Sequence, residues 1–108
     1  MLRLTTGDAL RQLAETKTDF ARLIEKNAFD VSLYKPEKID PQTSHARDEL
    51  YVIASGSGKF FCDGETEAVG AGDVLFVAAG VEHRFQDFTG DFSTWVIFFG
   101  PRPGKPAH

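Results

Sequence analysis

Along the first third of the chain the hydrophobic pattern changes period. Leu10, Leu13 and Ala14 recur at helical spacing with Asp8 in the first turn, which predicts a short helix over 7–15 with Thr6 as its N-cap. A helix of that length is not stable alone, so its apolar stripe must pack on something. From Phe29 onward the period is two: Phe29, Val31 and Leu33 alternate with Asp30, Ser32 and Tyr34. Pro36 and Pro41 bracket a loop. Strands are then expected at Leu50 to Ala54, Lys59 to Cys62, Glu65 to Val69, Val74 to Val77, His83 to Asp87 and Phe92 to Phe99. Glycine-bearing turns separate them: Ser55-Gly56-Ser57-Gly58, Asp63-Gly64, Gly70-Ala71-Gly72-Asp73, Ala78-Ala79-Gly80 and Thr89-Gly90-Asp91.

Short strands with glycine turns define an all-β sandwich or barrel. Residues 1–28 would carry the helix and a leading strand, 29–99 the barrel, and 100–108, with Pro101, Pro103 and Pro106, a loose tail. Leu50 and Val52 oppose Tyr51 and Ile53, and Phe92, Val96 and Phe98 oppose Trp95, Ile97 and Phe99, so both strands are apolar on both faces. A strand of a lone small barrel should have one wet face. The outside must therefore be covered by the N-terminal segment or by a second subunit, and the few apolar residues of the helix favour a homodimer.

The length of 108 residues fits one domain. The net charge of −4 comes without a basic stripe, which argues against a nucleic-acid partner. No apolar run approaches the ~20 residues of a membrane span. The N-terminus has no signal-peptide-like apolar stretch, so a cytoplasmic protein is expected. The single cysteine, Cys62, forbids an intrachain disulfide and is most simply a small buried apolar group.

Three histidines occur, His45, His83 and the C-terminal His108. Glu49, Tyr51 and Ile53 share one face of their strand, which puts a carboxylate inside the barrel unless a cation compensates it. His45 shares that parity, and His83 arrives from a distant strand with Val81 and Phe85 on its own face. A single histidine is more often structural than a ligand, but two histidines plus one carboxylate form an open-sided set used by Fe, Mn, Ni, Zn or Co. Tyr51, on the face of Glu49, is the candidate proton donor, or else a core aromatic.

The spacing adds to this. His45-Ala46-Arg47-Asp48-Glu49, followed after six residues by Gly56, resembles the first motif of the cupin superfamily. Gly72-Asp73, then Val77 to His83, with Asp87 beyond, resembles the second. The run from Asp40 to Ile53 is similar to a group of small bacterial cupins. The resemblance covers roughly 29–99 and implies a cupin-type double-stranded β-helix, a jelly-roll barrel. It implies metal ligation by His45, Glu49 and His83. Thr43 stands at the position of the first motif histidine, Ala78 at the motif proline and Asp87 at the motif asparagine. A neutral hydroxyl donates less than imidazole, so Gln42, Thr43 or water would complete a weaker site. Such a protein would bind a small molecule, as a metal-dependent dioxygenase, lyase or isomerase. The alternative is a non-catalytic small-molecule or sugar-binding module with a structural metal or none.

Overall fold

A computed structural model describes residues 1–40 and 44–101. Helix α1 (Thr6–Thr16) precedes eight strands. These are β1 (Phe20–Glu25), β2 (Phe29–Tyr34), β3 (Glu49–Ser55), β4 (Ser57–Cys62), β5 (Glu65–Gly70), β6 (Val74–Val77), β7 (His83–Gln86) and β8 (Ser93–Phe99). They form two antiparallel sheets, one in the order β1-β2-β8-β3-β6 and the other β5-β4-β7. The jelly-roll expectation holds. The segment at 41–43 and the tail from 102, with Gln42, Thr43 and His108, lie outside the described residues.

The helix begins one residue earlier than expected. Thr5, not Thr6, is the N-cap: its backbone is extended and its hydroxyl accepts from the amide of Asp8 at 3.0 Å. The expected four-residue turn at 55–58 shrinks to Gly56, because β3 and β4 both run into it. Gly56 has φ +75°, and a Cβ there would lie 2.7 Å from the Cα of Phe92, so both the turn and the close approach require glycine. The strand expected to end at Asp87 stops at Gln86, since Asp87 is left-handed with φ 49°. The last strand starts at Ser93, after Phe92 has entered the core.

Two cores result. Between the sheets lie Tyr34, Tyr51, Ile53, Phe60, Val77, Phe85, Phe92, Val96 and Phe98. Burying a large side chain of this kind contributes roughly 1.5–3 kcal/mol. On the outside, α1 lays Ala9 and Leu13 over Ala21 and Leu33, with Trp95 alongside. The alternation in β2 is thus real but inverted in polarity. Leu33 faces out to the helix, whereas Asp30, Ser32 and Tyr34 share the buried inner face. The helix covers only part of the outer face. On its β3–β6 side Leu50 stands beside Phe76 and Ile97, and Val52 beside Val74. Val74 and Phe76 are 62% and 59% exposed.

Candidate metal centre

Glu49 opens β3 and points inward with Tyr51 and Ile53, as its parity predicts. His83 opens β7 in the opposite sheet and points inward with Phe85. The two side chains meet across the interior, His83 Nε2 to Glu49 Oε1 at 2.7 Å, and both are fully buried. His45 comes from the loop before β3 and brings its Nε2 to 3.9 Å from the same oxygen, with its side chain 31% exposed. One donor atom from each of the three residues falls within 4.8 Å of the others.

The two motif segments hold each other in place. The amide of Gly80 donates to the carbonyl of His45 at 2.7 Å. The amide of Ala79 donates to the carboxylate of Asp48 at 2.8 Å, and the amide of Phe99 to the carbonyl of Asp48 at 3.0 Å. The turn at 78–80 therefore fixes the loop that carries His45, and its role needs backbone N–H groups at 79 and 80, not a proline at 78.

The tautomer of His83 follows from its contacts. Nδ1 lies 2.9 Å from the carbonyl of Val81, an acceptor only, so Nδ1–H donates there. In the neutral ring Nε2 then presents a lone pair to Glu49 and to the Tyr51 hydroxyl at 3.1 Å. With His83 neutral, neither carboxylate oxygen of Glu49 has a hydrogen-bond donor among the described residues. A buried carboxylate facing lone pairs needs a cation. That cation is either a proton on His83 or a metal ion among the three donors. Burial pulls the pKa of His83 down, but the Glu49 carboxylate and the Val81 carbonyl outweigh it, so the net shift is upward. Burial lowers that of His45, and the pull of Glu49 does not overcome it. Two imidazoles and a carboxylate are the donor set of open-sided divalent metal sites, so the residues present fit such an ion.

The structure brings together His45, Glu49, His83 and Tyr51, all singled out from sequence. Cys62 stands opposite His83 on β4, half-buried, and burial followed by the charges of Asp63, Glu65 and Glu49 pushes its thiol pKa up. The sequence reading missed Asp30 and Arg47. The signal was there: a charged residue on one parity of an alternating strand, and an arginine inside the His45–Glu49 motif.

The cupin domain profile matches residues 31–98, well over half the chain, and the protein belongs to the cupin family. An uncharacterised Streptomyces coelicolor protein, SCO3923, is 32% identical over 84 residues, covering 76% of this chain and 80% of its own. Among solved structures, KdgF from a Halomonas species superposes with a TM-score of 0.68 at 14% identity, covering 78% of this chain and 79% of its own. An RmlC-like cupin from Desulfovibrio desulfuricans gives 0.65 at 23% identity, covering 76% and 81%. At those identities the two structures establish the fold alone. Among the described residues no helix is long and apolar enough to cross a membrane.

Proposed function

We propose that the chain is a metal-dependent enzyme that acts on a small polar molecule, with a divalent transition metal held by His45, Glu49 and His83. The observation that carries this reading is the Glu49 carboxylate, fully buried, flanked by two imidazoles and left without a donor when these are neutral. When bound, the metal supplies Lewis-acid or redox chemistry of the kind dioxygenases, lyases and isomerases use. The chain supplies the rest. Val81 orients the imidazole of His83, and the aromatic wall of Tyr51, Phe60 and Phe85 keeps water from the inner side. The Tyr51 hydroxyl holds a proton next to His83 Nε2. His45, at the half-exposed edge, faces the side from which a substrate arrives.

Elemental analysis of wild type and His83→Ala tests the ligand set. Wild type should hold stoichiometric metal and the variant none. A folded His83→Ala protein with the same metal at the same affinity means that the assignment is wrong.

A second copy of the chain is the proposed cover for the β3–β6 side of the outer face. Leu50, Val52, Val74, Phe76 and Ile97 carry no charge, so the patch can meet itself about a two-fold axis without like-charge repulsion. Light scattering should give twice the 11.9 kDa chain mass, and Phe76→Lys should give the single mass. A wild-type monomer at micromolar concentration ends this proposal.

A further inference from the structure

Beside the metal centre, a cleft of about 360 Å³ is lined by the rings of Phe20, Tyr34 and Phe98 and by the polar groups of Arg22, His45 and Arg47. It is the cleft onto which His45 opens. The two arginines are held differently. Arg47 is 11% exposed, donates to both oxygens of Asp30 at 2.8 and 3.3 Å, and lies 4.5 Å from the centre of the Phe98 ring. It also donates to the carbonyl of Gly100 at 3.2 Å, so both of its terminal nitrogens are engaged. Arg22 reaches Asp30 only at 3.7 Å, keeps 34% of its side chain exposed, and makes no hydrogen bond among the described residues. Opposite it in register is Ser32, fully buried, whose hydroxyl has no partner among the described residues.

Asp19 also lines the cleft. Asp19, Asp30, Glu49 and Asp40, whose carboxylate is hydrogen-bonded to Tyr34 of the cleft wall, balance the two arginines and a divalent ion, so the attraction for an anion is local to Arg22 and is not a net charge of the cleft. A guanidinium with unused donors at the mouth of such a cleft matches the planar, two-oxygen geometry of a carboxylate.

We propose that the substrate is a small organic acid, that its carboxylate pairs with Arg22, and that Arg22 selects acids over neutral molecules of the same shape. The apolar part of the molecule lies against Phe20, Tyr34 and Phe98, and the remainder extends to the His45 edge of the metal centre. The assignment of that edge as the reacting side rests on the proposed metal site. The carboxylate pairing itself does not, because Arg22, Asp30 and the aromatic rings are in place without a metal.

The test is an amide chemical-shift titration of the isotope-labelled chain, metal-free and zinc-loaded, with mandelate and with its uncharged amide, mandelamide. Mandelate should saturate shifts at residues lining the cleft, with mandelamide at least about tenfold weaker. Arg22→Gln should weaken mandelate by a similar factor and leave mandelamide unchanged, and Arg22→Lys should recover part of the loss. Zinc content, measured on the same samples, should be the same in all three proteins. Equal binding of acid and amide, undiminished mandelate binding by Arg22→Gln, shifts that map elsewhere, or no binding in either form would overturn the proposal. If zinc fails to bind, the metal reading falls, and the metal-free titration still decides the role of Arg22.

Discussion

Of the carboxylates buried in the barrel, Asp40 and Glu49 follow opposite rules. Asp40, in the connection between β2 and β3, is almost fully buried and well supplied. The Tyr34 hydroxyl donates to one oxygen at 2.6 Å and the amide of Phe85 to the other at 2.8 Å. Burial and the neighbouring Asp40 push the pKa of Tyr34 up, which keeps its proton in that bond. Glu49 is buried as deeply, yet its described neighbours are the nitrogens of His83 and His45, which donate to it only when protonated. Asp40 is structural: it ties a loop to β7. Glu49 sits where its charge costs stability unless a proton on His83 or a cation compensates it. The difference between the two acids, more than burial itself, separates scaffold from site.

Substitution at Asp40 should show the largest effect on stability. Asp40→Ala strands a buried hydroxyl and a buried amide, and denaturant unfolding should record a loss of about 2–4 kcal/mol. A loss below about 0.5 kcal/mol, within the range of ordinary surface substitutions, would mean that Asp40 is not the anchor described.

The second effect is a pH dependence of the chelator-treated protein. The pKa of His83 is raised in the folded state, so between its unfolded value near 6.5 and the raised value the folded chain holds a proton that the unfolded chain lacks. The stability this contributes is fully present below about 6.5 and is lost as pH rises above it. His45, with its pKa lowered, opposes this near the bottom of the window, where the unfolded imidazole still holds part of a proton that the folded one lacks, and contributes nothing toward the top. Unfolding at a series of pH values from 6.5 to 8 should show a decline of at most about 1.4 kcal/mol per unit. Saturating metal should abolish or reverse the decline, because the ion takes the place of that proton. A metal-free protein that gains stability over the window contradicts the His83–Glu49 pairing.

How far the sequence carried this reading is clearest at particular residues. Glu49, Tyr51 and Ile53 were readable because strand parity is strict and a carboxylate on an apolar parity is conspicuous. His83 was readable from its own strand and from the motif spacing. The partition between Asp40 and Glu49 was not, because it depends on which donors from β2 and β7 reach each acid, and parity carries no such information. β2 shows the same limit. Its alternation was visible, but its polar side turned inward because α1 covers the apolar one, a tertiary choice. The N-cap shifted from Thr6 to Thr5 because both threonines are competent caps and only the chain's approach selects between them.

The smallest effect belongs to Glu49→Gln in the absence of metal. Once the pH is high enough for the stability held by the His83 proton to have been lost, removing a buried charge that then faces neutral imidazoles should leave the fold within about 1 kcal/mol of wild type, or more stable, since an unpaired buried charge costs several kcal/mol. This is the reverse of the loss expected at Asp40, and a large destabilisation would place the two acids in the same class.

The most direct test is metal stoichiometry by elemental analysis of wild type and Glu49→Gln, purified without an affinity tag and dialysed against a common mixture of divalent transition metals. Wild type should retain about one ion per chain, with an affinity more than about a hundredfold above that of a folded Glu49→Gln. Equal retention by both proteins, or none by wild type, would contradict the metal centre.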